Sequence, residues 1–254
     1  MNIRLYSDLH LEFGKFTPPD PEPNTILVLA GDIGVKLGAM SFLERNAHKY
    51  KAVIYVAGNH EFYNGNINTI LSRWRNTTHI PNLHFLENEY IVIDNIKFLG
   101  GTLWTGMNDD DWFVKQKVGN CMNDFQVIQV GKERSTHKTW FTTSMAIVMH
   151  KETLEFFKEE LSKDTMQTVI VSHHSPTIHG CNTARYGYTD MTHAYYTPLE
   201  YLMEQHDHLT HWMFGHTHVS MDMDIYDTRV LSNPRGYVGH EVVDSFKPNF
   251  KVII

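Results

Sequence analysis

Short apolar runs recur along the chain, each closed by Gly, Asp, Asn or Ser. The clearest are Ile3–Tyr6, Ile26–Ala30, Val53–Ala57, Thr168–Ser172 and His211–Phe214. Runs of four or five mostly apolar residues suit strands covered on both faces, because a half-exposed strand alternates. Ile91–Ile93, Lys97–Gly100, Arg229–Leu231 and Glu241–Val243 are weaker candidates. Between the strands the apolar positions shift to helical spacing. Met40–Tyr50 carries Phe42, Leu43 and Ala47 on one side, and Ile67–Arg75 carries Ile67, Ile70, Leu71 and Trp74. Ser144–Ser162 is the longest candidate, with a core stripe of Ile147, Val148, Leu154, Phe157 and Leu161. Pro198–Gln205 places Pro198 in a first turn, where its missing N–H is tolerated. Strands alternating with helices predict an α/β fold. The strand-rich part after Phe214 predicts a second sheet. Residues 104–143, rich in Asp, Asn, Thr, Lys and Trp but without clear periodicity, read as an insertion or lid near the site. One domain is expected over 1–254.

Charge and cysteine content narrow the function. The chain carries 29 acids against 22 bases, a formal charge of −7, and no basic run. A binder of long nucleic acid needs a cationic face, so that partner is not expected. Cys121 and Cys181 stand far apart in no paired motif, which argues against a disulfide framework and against a thiolate zinc site. The start, Met1-Asn2-Ile3-Arg4-Leu5, has no apolar leader, and no window approaches the roughly 18–20 residues of a membrane span. The expectation is a cytoplasmic protein with no membrane association, in which the sequon Asn76-Thr77-Thr78 is coincidental. The 17 histidines are the unusual feature, and their placement points to chemistry.

Each clear strand ends in metal-binding residue types. Ile3–Tyr6 leads into Ser7-Asp8-Leu9-His10, Ile26–Ala30 into Gly31-Asp32, and Val53–Ala57 into Gly58-Asn59-His60-Glu61. Thr168–Ser172 leads into His173-His174, and His211–Phe214 into Gly215-His216-Thr217-His218. In α/β sheets ligands bind beyond the carboxyl ends of the strands, so these turns can meet. Carboxylates, an amide oxygen and imidazoles suit hard or borderline divalent cations. Asp8 and His10, like His216 and His218, are two apart and point the same way on an extended backbone. Glycines at 31, 58 and 215 allow sharp departures from the strands. One carboxylate between two cations can bridge them at about 3.5–4 Å, the arrangement of two-metal phosphate hydrolysis.

In this order, Asp8-x-His10, Gly31-Asp32, Gly58-Asn59-His60-Glu61, His173 and Gly215-His216-x-His218 resemble the calcineurin-like metallophosphoesterase superfamily. The resemblance spans residues 8–218. It implies a four-layer α/β/β/α sandwich, two mixed sheets flanked by helices. It implies that Asp8, His10 and His218 hold one metal, that Asn59, His173 and His216 hold the other, and that Asp32 bridges them. His60 would act outside the metals, contacting phosphate and protonating the leaving oxygen. The implied activity is hydrolysis of a phosphate ester, diester or monoester, by a metal-bridging hydroxide. The substrate would be small and phosphorylated, with a nucleotide among the candidates. Manganese is the expected ion, with iron, zinc, cobalt and magnesium as alternatives. Gly101-Thr102-Leu103-Trp104, Met122-Asn123-Asp124-Phe125 and Asn233-Pro234-Arg235-Gly236-Tyr237 resemble a bacterial and phage branch of predicted phosphohydrolases. Two departures stand out. Val35 occupies the position, three after Asp32, where many members carry an acid, and His173-His174 offers two imidazoles for one ligand, of which His173 is favoured.

Blander readings compete at several positions. Asp8 can cap a turn, Asp32 can form an Asx turn, and Asn59 is a common turn residue. His60 can also be read as a further metal ligand, and Glu61 as a solvated glutamate or as a support for His60 or for a ligand. His137, His150, His179, His193, His206, His208 and His240 have no motif around them and read as surface or satisfied histidines. Arg235 suits a structural ion pair or a phosphate contact. Trp104, Trp112 and Trp140 suit core or lid packing ahead of base stacking. Two rival functions remain: a catalytically silent scaffold of the same fold that binds a protein partner, and a protein with one closed, four-coordinate zinc.

Overall fold

The fold is a computed structural model that describes residues 1–131, 139–241 and 243–254. In chain order its strands are β1 (Asn2–Tyr6), β2 (Thr25–Ala30), β3 (Ala52–Val56), β4 (Leu83–Phe85), β5 (Glu89–Ile93), β6 (Ile96–Gly101), β7 (Gln129–Val130), β8 (Thr139–Trp140), β9 (Thr168–Ser172), β10 (Leu209–Phe214), β11 (Met221–Ile225), β12 (Thr228–Ser232) and β13 (Lys251–Ile253). One sheet has the order β13-β1-β2-β3-β4, the other β11-β12-β10-β9-β6-β5, and β7 pairs with β8 as a small ribbon. The interior pairings β1–β2, β2–β3, β6–β9, β9–β10 and β10–β12 are parallel, while β13, β11 and β5 are antiparallel edges.

The continuous apolar runs serve two cores at once. On β2, Ile26, Val28 and Ala30 point between the sheets and meet Val169, Val171 and Met213 of the second sheet. The alternate residues Leu27 and Leu29 point outward to Phe42 and Leu43 of helix Met40–Asn46 and to Ile70 and Trp74 of helix Ile67–Arg75. On the far side, Ile170, Trp212 and Val230 pack on Phe157 and Leu161 of helix Thr143–Lys163 and on Leu202 of helix Glu200–Gln205. The result is the α/β/β/α sandwich, two mixed sheets flanked by helices. Strands buried on both faces cannot alternate in polarity, which is why the runs are unbroken.

Several expectations are corrected. The second sheet does not begin after Phe214 but already at β5, and the final strand β13 returns to the first sheet beside β1. The strand expected at Glu241–Val243 is absent over its described residues. Glu241 makes one isolated bridge with Val238, and Val242 lies outside the described residues. In helix Thr143–Lys163, Val148 is 55% exposed, and the buried face instead includes Ala146, Ile147, His150, Thr153 and Phe157. Helix Met40–Asn46 gives way to a tighter turn over Ala47–Lys49, and the helix expected from Pro198 starts at Glu200. Residues 104–143 contain helices Trp112–Cys121 and Asp124–Val127 and the ribbon strands. Their Val114, Val118, Phe125, Ile128 and Phe141 are buried in the core on the outer face of the first sheet. Helix Trp112–Cys121 buries only Val114 and Val118 and exposes Trp112 and Phe113, so its apolar residues mark no single face, and Asp124–Val127 is a single turn.

Candidate functional site

The carboxyl ends of β1, β2, β3, β9 and β10 converge, and the residues just past them form one cluster. Asp8, His10, Asp32, His216 and His218 all adopt positive φ, between 44° and 70°. This corrects the extended backbone expected for Asp8-x-His10 and His216-x-His218. Their side chains are aimed by left-handed turns rather than by strand alternation. Such conformations cost about 1–3 kcal/mol each and persist where surrounding structure imposes them. Here the turns are laced together. Asp8 N–H donates to Gly31 O, and His10 N–H to Asp32 O, both at 3.0 Å; Gly215 N–H donates to His173 O at 3.0 Å and Gly236 N–H to Asp8 O at 3.0 Å. Glycine is required at 215, where a Cβ would lie 2.7 Å from Asp8 Oδ2 and 2.8 Å from Ala30 O.

The structure brings together every residue that the sequence marks as a ligand. Asp8, His10 and His218 form one group, and Asp32, His173 and His216 another. His10 Nε2 lies 3.1 Å from His218 Nε2 and 3.7 Å from Asp32 Oδ2; His218 Nε2 lies 3.4 Å from Asp8 Oδ1. Asn59 Oδ1 sits 3.0 Å from His173 Nε2 and 3.1 Å from His216 Nδ1, and His173 Nε2 is 3.4 Å from Asp32 Oδ1. Asp32 thus touches both groups. His173 faces the group, whereas His174 turns its Nδ1–H to Thr102 O at 3.1 Å and packs its ring on His216. Burial, helped by the neighbouring His173, pulls His174 down to about 3, so it is a neutral support.

Hydrogen bonding behind the cluster fixes which atoms face inward. His10 Nδ1–H donates to Glu12 Oε1 at 3.2 Å, and His218 Nδ1–H donates to Glu241 Oε1. Burial would raise Glu12, but its bonds to His10 and His60 hold its carboxyl down at about 2, so it is a charged acceptor. Both rings therefore aim their Nε2 atoms at each other. His173 Nδ1–H donates to Ala30 O at 2.9 Å, which turns its Nε2 to the Asn59 oxygen. Buried Asp8 Oδ2 and His216 Nε2 have no partner among the described residues. Acceptors facing acceptors in a dry site are costly without a proton or cation between them. The donor set fits a cation.

His60 stands beside the groups. Its Nδ1 is 3.1 Å from Glu12 Oε1, its Nε2 is 3.1 Å from the Tyr237 hydroxyl and 4.0 Å from Asp32 Oδ2, and its ring stacks on Tyr63. Burial lowers its pKa, but the charges of Asp32 and Glu12 outweigh that and raise it. Glu61 does not touch His60. It is fully buried and accepts from the backbone N–H groups of Asp32 (2.9 Å), Ile33 (2.8 Å), Gly34 (3.3 Å) and Gly58 (2.7 Å) and from the Tyr55 hydroxyl (2.7 Å). It ties the Asp32 loop to the Asn59 turn.

Other residues fall outside the cluster. Arg235 spends its guanidinium on the carbonyls of Leu9, Gly14 and Lys15 and makes no ion pair among the described residues. Trp104 is buried in the core, while Trp112 and Trp140 are exposed. His150 bonds to Leu103 O, His193 to the Tyr188 hydroxyl and His208 to Leu161 O; His179 and His206 lie away from the cluster, and His240 packs on Phe13. His137 lies outside the described residues. Glu12, Glu241 and Tyr63 support the site without being singled out in the sequence reading, whereas Asp124 and Tyr237 fall in the stretches Met122-Asn123-Asp124-Phe125 and Asn233-Pro234-Arg235-Gly236-Tyr237 noted there. Glu12 repeats the two-residue spacing of Asp8 and His10, a cue available in the sequence; Glu241 has none.

The sequence model of the calcineurin-like phosphoesterase family matches residues 1–220, and the chain belongs to that family. It is a metal-dependent phosphoester hydrolase. An uncharacterized protein of Acanthamoeba polyphaga mimivirus is 27% identical over 265 residues, covering 94% of this chain and 92% of that protein. Among solved structures, phosphopantetheinyl hydrolase from Mycobacterium tuberculosis is similar in fold, with TM-score 0.71 and 16% identity, over 93% of this chain and 89% of that one. A dimetal phosphatase from Danio rerio has TM-score 0.51 and 15% identity, over 97% and 89% of the two chains. No helix among the described residues is long and apolar enough to cross a membrane.

Proposed function

We propose that the chain is a dinuclear phosphoesterase, with Asp8, His10 and His218 on one divalent cation, Asn59, His173 and His216 on the other, and Asp32 between them. The observation that carries this reading is the pair of imidazole nitrogens, His10 Nε2 and His218 Nε2, held 3.1 Å apart with their Nδ1 atoms engaged by Glu12 and Glu241. Two ligands with bonds of about 2.1 Å and an angle of about 90–110° have nitrogens about 3.0–3.4 Å apart. Two bound cations would supply Lewis acidity, lowering the pKa of a water and neutralising charge on phosphoryl oxygens. The chain's own residues do the rest. His60, held at Nδ1 by Glu12, directs Nε2 toward the cluster and donates its proton to the leaving oxygen. Glu61 and the laced turns keep the acceptors in place before substrate arrives.

The nitrogen and oxygen donor set suits manganese, with iron, zinc or cobalt as competitors set by availability. The substrate is a small phosphate ester, a general class that the names of the dimetal phosphatase and the phosphopantetheinyl hydrolase of similar fold agree with, and within it phosphodiesters are our preferred reading. Both cysteines are free, as suits a reducing, cytoplasmic setting. Residues 104–143 are read as an insertion within one domain, reaching the site through Asp124.

The test uses chelator-stripped protein resupplied with Mn²⁺, Zn²⁺ or Mg²⁺ and assayed on a chromogenic phosphodiester and the matching monoester. Two ions per chain and metal-restored turnover are expected. Asp32→Asn should lose an ion and activity together; His60→Gln should keep both ions and lose about 100-fold or more in kcat. Turnover surviving in both variants sinks the assignment.

A further inference from the structure

Asp124 has no part in the reading above, although it is only 3% exposed and reaches the cluster from residues 104–143. Its Oδ1 accepts from Asn59 Nδ2 at 2.8 Å and from the Tyr63 hydroxyl at 2.7 Å; the same hydroxyl lies 3.3 Å from Asn59 Nδ2. An amide has an oxygen at one end and two N–H donors at the other. Fixing the NH₂ on Asp124 therefore fixes the Asn59 oxygen on His173 Nε2 and His216 Nδ1. Without that hold the amide would turn over. In the unprotonated form that would hold a cation, His173 Nε2 would accept an N–H from the turned Asn59 amide. That turned amide would present N–H to the position where a cation needs oxygen.

We propose that Asp124 is a positioning residue that holds Asn59 in the ligating orientation, so that the short helix Asp124–Val127 completes the metal centre. The placement of Asp124 is set by packing. The next residue, Phe125, stacks on Phe141, which lies against Trp104, and Asn64 N–H donates to Val127 O at 3.1 Å. The short helix Asp124–Val127 is thereby pinned both to the core and to the segment following Asn59.

The inference rests on the cation reading of the site, and the experiment separates the two. Mn²⁺ is titrated calorimetrically into the stripped full chain, with stoichiometry checked by elemental analysis. Wild type should bind two ions; binding of none overturns the cation reading and this proposal with it. Asp124→Ala should weaken one of the two ions 10–100-fold, the loss usual for groups that orient a ligand, and leave the other within about threefold. Asp124→Asn, which keeps an acceptor for the Asn59 NH₂, should stay within a few-fold of wild type. In an Asn59→Asp background, where either end of the side chain is an oxygen, adding Asp124→Ala should not weaken binding further. Should Asp124→Ala fail to fold, Asp124→Ser, with a hydroxyl too short to reach Asn59, carries the same expectation. Unchanged affinities in the Ala or Ser variant, an Asn variant that falls as far as Ala, or a full loss in the Asn59→Asp background overturns the proposal.

Discussion

Glu12 reaches His60 Nδ1 at 3.1 Å with the same oxygen, Oε1, that it places 3.2 Å from His10 Nδ1. One carboxylate therefore orients both an imidazole of the cation cluster and the imidazole proposed as proton donor. Burial lowers the pKa of His60, and the Asp32 charge with Glu12 raises it. Removing the Glu12 charge removes part of the raising influence. Glu12→Gln should move the alkaline limb of the pH–rate profile to lower pH, because His60 loses its proton earlier. It should also lower kcat about 10–100-fold while two ions remain bound. A profile that does not move separates Glu12 from proton transfer.

Cation binding should release protons. Burial pulls His218 down, but hydrogen bonds to Asp8 and Glu241 outweigh it and push the metal-free group up to about 10. At neutral pH its Nε2 therefore carries a proton that a cation must displace. Apparent affinity should rise with pH up to about 10. Calorimetric titrations at pH 7 in buffers of different ionisation enthalpy should show release of close to one proton for that ion. Heats that do not vary with the buffer contradict it.

Glu61 should matter for stability before it matters for chemistry. Glu61→Ala leaves the N–H groups of Asp32, Ile33, Gly34 and Gly58 and the Tyr55 hydroxyl without their buried acceptor. The expected cost is about 3 kcal/mol or more, equivalent to roughly 6–12 °C in Tm for a chain of this size. A thermal melt of the stripped protein reads it without interference from bound ions. A Tm within about 2 °C of wild type removes the clamp role.

Glu87 gives a stability signal away from the site. Burial pushes its carboxyl up to about 7, against the lowering effect of hydrogen bonds from the Thr102 N–H and hydroxyl. A carboxyl raised on folding stabilises the protein most when protonated. That contribution is fully present below the unfolded value of about 4.3 and is lost as pH rises through about 7. Glu87→Gln keeps an acceptor for Thr102 without the charge. It should be more stable than wild type at pH 8, by about 1–3 kcal/mol, and nearly equal at pH 4. Denaturant melts at the two pH values decide it; equal stabilities at pH 8 show that Glu87 ionises without penalty.

The parts of the fold legible in the sequence are those where one local pattern has one physical cause. β2 and β9 are buried on both faces, so their apolar runs are unbroken, and the helix Ile67–Arg75 shows its apolar spacing over a full nine residues. The other three sheet edges, unlike β5, left no such pattern. Met221–Ile225 is exposed over Asp222, Met223 and Asp224 and so carries no apolar run, and Leu83–Phe85 and Lys251–Ile253 are three residues each. Val148 was misplaced because apolar spacing cannot say which of two adjacent stripes a helix turns inward.

For the site, the sequence by itself determined the residue types at the strand ends, Asp8, His10, Asp32, Asn59, His173, His216 and His218, because a glycine or a strand boundary marks each turn locally. Only the tertiary structure decided how those residues are held. The positive φ angles that aim Asp8, His10, Asp32, His216 and His218 come from backbone hydrogen bonds between turns far apart in the chain. The carboxylates that set the tautomers and the Asn59 amide arrive across long separations: Glu241 to His218, Asp124 to Asn59, Glu61 back to Asp32. No local periodicity records such contacts, because a hydrogen bond constrains where two atoms meet and not how many residues lie between them.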